Sequence, residues 1–282
     1  QEVVARISVD GAAESAEPVK PAPMLTPGEV VAVRYKITDR IAAGGMGEVY
    51  RAEHVELGKV FALKMMRAEF SNDANFVERF RREAIASARI GHMNIVDISD
   101  FGRTADGRFF FVMEHLEGET LGGLIHRAGA QSVDRVVRIG TQMCDALAAA
   151  HHLGIVHCDL KPENVMLLQR PGQVDLVKVL DFGIAKDTKL NAPGQTAMGM
   201  VVGTPEYMAP EQAMGMGTDA RSDLYSLGLI LYELYTGRPP FTGESSGIVI
   251  SKHIKESPPA LIPGPISLPV PRALEDVIFR LL

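Results

Sequence analysis

From Arg34 onward the chain alternates apolar and polar positions at a spacing of two, and further on the spacing lengthens to three and four. The alternation predicts strands over Tyr35–Ala43, Glu48–His54 and Lys59–Met66, joined by tight turns, the second at Leu57-Gly58. Phe76, Phe80, Ala84 and the Ser87-Ala88 pair recur at helical spacing and predict a helix over Asn75–Ile90. Two more strands follow, Ile95–Phe101 and Arg108–Glu114, with Asp106-Gly107 as the turn. Beyond them the pattern is mainly helical. Val133–His152 shows one apolar face, Asp219–Thr236 is apolar all round and so belongs in a core, and a last helix begins near Pro271. Residues 1–33 differ: they are rich in Ala, Glu and Pro, and Pro18, Pro21, Pro23 and Pro27 predict an extended linker. The order, strands first and helices after, predicts an α+β fold with a β-rich part over 34–115 and a helical part over 116–282.

Composition changes this picture little. The 282 residues suffice for one two-lobed domain, and 46% hydrophobic with 23% charged residues is ordinary for a globular chain. A net charge of -6 gives no electrostatic reason to expect nucleic acid or a membrane surface as partner. Cys144 and Cys158 cannot make a disulfide framework, so a reducing cytoplasm is the simplest setting. No run reaches the ~18 apolar residues of a membrane helix. Gln1 to Asp10 lacks the shape of a signal peptide, and the absence of an initiator Met points to a piece of a longer protein.

Four segments carry candidate chemistry. Ile41-Ala42-Ala43-Gly44-Gly45-Met46-Gly47-Glu48-Val49 lies between two predicted strands, and Gly44 and Gly47 would let the hairpin backbone close over phosphates. Taken alone, the run reads more readily as a plain glycine hairpin; a nucleotide P-loop is disfavoured because no Gly-Lys-Ser/Thr follows. Phe61-Ala62-Leu63-Lys64 places a lysine on an apolar strand. Lys64 either snorkels to water or pairs with an anion, with Glu83 on the following helix and a nucleotide phosphate as the candidates. In His157-Cys158-Asp159-Leu160-Lys161-Pro162-Glu163-Asn164, Asp159 can accept the proton of an attacking hydroxyl, Lys161 can screen a γ-phosphate, and Asn164 can offer a carbonyl oxygen to magnesium. Asp181-Phe182-Gly183 follows the apolar strand Leu176–Leu180, and a carboxylate there can ligate the same metal.

At these residues the chain resembles the eukaryotic-like protein kinases, over about Arg34 to Leu282. Gly203-Thr204-Pro205-Glu206-Tyr207-Met208-Ala209-Pro210-Glu211 is similar to the end of a kinase activation segment, and Asp223-Leu224-Tyr225-Ser226-Leu227-Gly228 to the central helix whose Asp braces the catalytic loop. Lys161-Pro162-Glu163 and Thr204 match the Ser/Thr branch; Gly45-Met46-Gly47-Glu48-Val49-Tyr50 and Ala209-Pro210-Glu211-Gln212 resemble bacterial members. The resemblance implies the bilobal kinase fold, a small antiparallel N-lobe of five strands and one helix over a larger helical C-lobe, with ATP and Mg2+ in the cleft and Ser/Thr-bearing proteins as substrates. It implies Met113 at the gatekeeper position, Glu114 and Leu116 at the hinge that bonds adenine, and Ile41, Val49, Ala62 and Met166 around the ring, where plain core packing would also place such residues. His157 and Phe182 would stack with the small Ser87. Relatives of this kind often pair back to back through their N-lobes, with an arginine at the position of Arg34, which implies weak dimers at best here, although Arg34 reads more simply as an exposed arginine at a domain boundary; many relatives are membrane-anchored as full-length proteins.

Three departures from the family pattern stand out. Ala42 replaces a glycine and would be strained if its φ is positive. Cys158 replaces the arginine that meets the activation-loop phosphate, leaving Arg79 and Lys186 as basic partners, with Thr196 and then Thr188 as acceptors. Cys158 itself is either a small neutral filler or, beside Lys186, a reactive thiolate. The chain stops before the helix whose arginine pairs with Glu211, which predicts a carboxylate without its partner and a C-lobe truncated at its end. Two rival readings follow. Ala42, Cys158 and the missing end favour a pseudokinase or scaffold, against which Lys64, Glu83, Asp159, Asn164 and Asp181 are all present. A small-molecule kinase is opposed by Thr204 to Glu211, a segment suited to docking a peptide.

Overall fold

Branched and aromatic side chains at alternate positions draw the first third of the chain into an antiparallel sheet. The computed structural model of the protein describes residues 24–45, 47–182, 204–262 and 269–282. The sheet contains β1 (Val30–Val31), β2 (Tyr35–Ala43), β3 (Gly47–His54), β4 (Val60–Met66), β5 (Ile98–Arg103) and β6 (Phe109–Glu114), in the order β1-β2-β3-β4-β6-β5. It has six strands where the sequence predicts five. The extra edge strand forms because Ala32 and Val33 adopt positive φ and fold Val31 back onto Tyr35, where both are buried. The strand predicted over Ile95–Phe101 is displaced to β5. Ile95 and Val96 are apolar for another reason: Ile95 is buried in the core of the larger lobe, and the Val96 N–H donates to the carbonyl of Val179 at 3.0 Å.

Helix α1 (Ala74–Ile90) packs beside β5, with Asp73 accepting the N–H of Asn75 at its start and Gly91 ending it. Phe80, Ala84 and Ser87 form its buried stripe. A second sheet of β7 (Gly118–Thr120), β8 (Val165–Arg170) and β9 (Gln173–Val179) opens the larger lobe. Around it stand α2 (Leu121–Ala128), α3 (Val133–His152), α4 (Pro210–Ala213), α5 (Ala220–Thr236), α6 (Ser246–Lys255) and α7 (Arg272–Leu281). As predicted, α5 is buried nearly all round, from Ser222 to Tyr235. Gly228 permits this, because a Cβ there would lie 2.9 Å from Leu281 Cβ, so α5 and α7 could not approach as they do. Among the described residues no helix is long and apolar enough to cross a membrane.

His253 fastens α6 to this core. It is 5% exposed, its Nδ1 lies 2.8 Å from the Tyr225 hydroxyl, and its ring centroid lies 4.8 Å from that of Phe241. Burial lowers its pKa to about 4, against the weaker opposing pull of the Pro205 and Glu206 carbonyls. Between pH 6.5 and 4 the unfolded chain therefore binds a proton that the folded chain refuses, so stability is full above 6.5 and falls as pH drops toward 4. The loss is expected to reach about 3 kcal/mol. Urea midpoints at about pH 7 and pH 4.5 check this. The His253→Gln variant, which does not titrate, should show a shallower decline.

Candidate active site

Lys64 emerges from the buried strand β4 with Leu63 and Met65 fully enclosed on either side. Its Nζ lies 2.6 Å from Glu83 Oε1 on α1 and 2.9 Å from Asp181 Oδ1, which follows β9. One ammonium thus joins three elements of both lobes. Burial alone would lower the Lys64 pKa, but the Asp181 and Glu83 carboxylates outweigh it and hold the group above the usual lysine range. The two carboxylates do not share the benefit evenly. At 15% exposure Glu83 is the drier of the two, and burial, with the Asp181 charge, raises it despite Lys64. Asp181 is 43% exposed, and although burial tends to raise it, Lys64 draws it below the usual carboxylate range. Asp181 has φ +46, a backbone that aspartate tolerates better than most residues.

The loop after α3 is held from below by Asp223 on α5. Its buried carboxylate accepts the N–H groups of His157 at 2.8 Å and Cys158 at 2.9 Å, and meets His151 Nε2 at 2.7 Å. His157 Nε2 reaches the Leu180 carbonyl at 2.9 Å and its ring lies 4.8 Å from that of Phe182, while the Leu180 N–H donates to the Asn164 carbonyl at 2.8 Å. These bonds fix Asp159 and Asn164 relative to Asp181. Asp159 Oδ2 accepts from Lys161 Nζ at 2.8 Å, and Asn164 Nδ2 donates to the Asp159 carbonyl at 2.9 Å. Committing its NH2 inward leaves Asn164 with its carboxamide oxygen as the free ligand atom. Among the described residues no three His, Cys, Asp or Glu side chains gather as a metal cage. One amide oxygen and one carboxylate suit a magnesium ion that takes its remaining ligands from phosphates and water.

Strand register puts Val49, Ala62 and Met113, with Lys64, on one face of the first sheet. Val49 pairs with Lys64 and with Ala42, and Ala62 pairs with Met113. Met166 lies on β8 opposite Thr120, and Glu114 and Leu116 stand at and just beyond the end of β6. Ile41 is exposed at the outer strand. Gly47 has a packing reason as well, since a Cβ on it would stand 2.5 Å from the Met65 carbonyl oxygen; Gly44 meets nothing so close. Ala42 follows a register shift between Arg40 and Ala42 in β2 but is not among the residues with positive φ, so the strain expected there is absent.

Other expectations change. Glu211 is half-buried but has a partner, accepting the hydroxyl proton of Ser222, so it is not left unpaired. Arg34 forms an ion pair with Asp100 of its own chain at 2.9 Å. Arg79 is exposed, 5.9 Å from the Phe76 ring. Ser87 is buried, and its hydroxyl has no hydrogen-bond partner among the described residues. Gly183, Lys186, Thr188, Thr196 and Gly203 lie outside the described residues.

Sequence reasoning missed Lys178. It is 7% exposed on β9, donates to the Ile95 carbonyl at 3.1 Å and pairs with Glu114, whose carboxylate also accepts the Asp97 N–H at 3.0 Å. The Glu114 side chain is thus engaged with Lys178 and Asp97. The signal was present: one lysine within the apolar run Leu176-Val177-Lys178-Val179 requires a buried anion.

Known proteins are similar to this chain in sequence and in fold. Residues 35–277 match the family described as protein kinase domain. The chain is 44% identical over 257 residues to the serine/threonine-protein kinase pkn3 of Myxococcus xanthus, covering 90% of this chain and 47% of that protein. It is 41% identical over 232 residues to a probable serine/threonine-protein kinase PknB of Corynebacterium glutamicum, covering 81% and 35%. The chain therefore spans about half or less of the curated relatives it matches. Among solved structures, the PknI kinase domain of Mycobacterium tuberculosis aligns with a TM-score of 0.62 and 29% identity, over 85% of this chain and 83% of that one.

Proposed function

This chain belongs to the protein kinase domain family, and from that premise we propose that it transfers the γ-phosphoryl group of ATP to Ser or Thr hydroxyls of protein substrates, itself included, in bacterial signalling. The observation that carries the reading is a pair of linked side-chain sets: Lys64 of the smaller lobe bound to Glu83 and to Asp181 of the larger one, and Asp159, Lys161 and Asn164 on the loop after α3, tied to the Asp181 strand by the Leu180 N–H to Asn164 carbonyl bond. The presence of every member of these sets argues against the pseudokinase reading.

Lys64, oriented by Glu83, holds the α- and β-phosphates. The backbone at Gly44 and Gly47 lies over the phosphates, and Ile41, Val49, Ala62 and Met166 enclose adenine, whose edge bonds the main chain at Glu114 and Leu116 beside Met113. Asp181 and Asn164 would hold magnesium, which would supply neutralisation of the phosphate charge. Asp159 aligns the attacking hydroxyl and accepts its proton, while Lys161 screens the transferred group. The segment from Thr204 docks the substrate chain; the Tyr207 hydroxyl donates to Glu233 at 2.5 Å and steadies it. Any N-lobe homodimer must compete with the Arg34–Asp100 ion pair, so self-association is expected to be weak.

Radiolabelled ATP with magnesium, offered with and without a basic protein substrate, tests the proposal. Label is expected on the chain and on the substrate. No label on either, from protein that still binds nucleotide, would favour the scaffold reading.

A further inference from the structure

The placement of the Asp159 carboxylate depends on the peptide unit that joins it to Cys158, and both polar atoms of that unit are held. The Asp159 N–H donates to His157 Nδ1 at 3.3 Å. The Cys158 carbonyl accepts from Gln212 Nε2 at 2.8 Å. Cys158 has φ +63, a left-handed conformation that an L-residue keeps only where its surroundings over-determine it. Asp223 fixes the preceding side through the N–H groups of His157 and Cys158, and Gln212 fixes the following side.

The other end of the same carboxamide points the opposite way. Gln212 Oε1 accepts the N–H of Ala209 at 3.0 Å, at the point where the Pro205–Tyr207 turn runs into α4. Ala209 is fully buried against Tyr225, Leu229 and Phe241, so this end is anchored in the core. One planar group therefore spans from the end of the substrate-docking segment to the peptide that aims the catalytic carboxylate.

We propose that Gln212 is a positioning residue, which sets Asp159 in register with the docking segment by clamping the Cys158 carbonyl. The proposal rests on the phosphotransfer reading above. The clamp grips backbone and so does not depend on the side chain at position 158. A chain without an arginine there can thus keep docking segment and catalytic loop aligned, whatever the phosphorylation state of the segment between them.

Gln212→Glu keeps the acceptor for Ala209 but replaces the donor with a carboxylate facing a carbonyl. At about pH 7.5 its kcat is expected to fall about tenfold to a hundredfold, the range for a small misplacement of a reacting group. KM for ATP and Tm should stay near the wild type. As pH is lowered toward the glutamic acid range the carboxyl gains a proton and can donate again, so kcat relative to wild type should recover. The charged groups on the surrounding elements, Glu211, Asp159, Lys161, Asp219, Arg221 and Asp223, are common to both proteins and cancel in that ratio. Gln212→Met, with no donor at any pH, should show the loss without recovery, and it stands in should the first variant not fold. Wild-type kcat in both variants overturns the clamp alone, as does a loss that tracks Tm and shows no pH recovery in the Gln212→Glu protein. No transfer by the wild type removes the phosphotransfer reading, and the clamp with it.

Discussion

Asp181→Ala is expected to stop phosphoryl transfer, lowering kcat by at least about a thousandfold, while the protein remains folded and still binds nucleotide more weakly. The size follows from what the carboxylate would do. It and the Asn164 oxygen are the candidate magnesium ligands, and a site that works by neutralising phosphate charge loses most of its rate enhancement when the metal is not held. Survival of the fold follows from the charges around Lys64. In the native protein one ammonium lies 2.6 Å from Glu83 and 2.9 Å from Asp181, so one negative charge is left over. Removing Asp181 leaves a balanced Lys64–Glu83 pair and takes away the repulsion that, after burial, raises Glu83. The backbone works against this gain, because φ is +46 at this position and alanine holds it less readily than aspartate. Asp181→Asn separates the two effects: asparagine accepts that backbone and carries no charge. At ordinary magnesium concentration both variants should lose turnover, and the Asn variant should melt at or above the wild type. Near-normal phosphorylation by either folded variant would remove Asp181 from the metal site.

The strands and helices were legible wherever one face was buried and the other wet. Val133–His152 was predicted residue for residue, and α5 was recognised as buried from its composition. The errors came where apolar residues served something other than the local element. Ile95 and Val96 extended a predicted strand because they are apolar, yet they pack toward β9 across the lobes. Val30–Val31 reads as linker in the sequence because two residues carry no period, and only the turn at Ala32 and Val33 brings them into the sheet. The charged residues of the site were legible as a set because their spacings along the chain are distinctive. Their supports were not. Lys178 and Gln212 act through pairings to Glu114, Ile95, Ala209 and Cys158 that are distant or backbone-directed, and local pattern does not encode such partners.

Asp159→Asn is expected to lower kcat by about a hundredfold to ten-thousandfold, the range for loss of a positioned general base, with KM for ATP little changed. Asparagine matches the shape of the side chain but cannot take a proton from the attacking hydroxyl. Its amide can still accept from Lys161 through the oxygen, so the Lys161–Asp159 contact at 2.8 Å weakens without breaking. Asn164 is unaffected at its main anchor, because its Nδ2 donates to the backbone carbonyl of residue 159, not chiefly to the side chain. Metal binding should therefore survive, which distinguishes this variant from those at Asp181. Stability should also hold, since Asp159 is 45% exposed and the loop is fixed from beneath by Asp223 through main-chain N–H groups that the substitution leaves in place. The decisive comparison is kcat against magnesium concentration. Turnover lost at Asp181 should be partly restored by added metal in the Asn variant, where an amide oxygen remains as a weak ligand, whereas turnover lost at Asp159 should not respond. If the Asp159→Asn protein keeps kcat within a few-fold of wild type, Asp159 is not the residue that takes the proton, and the role assigned to it is wrong.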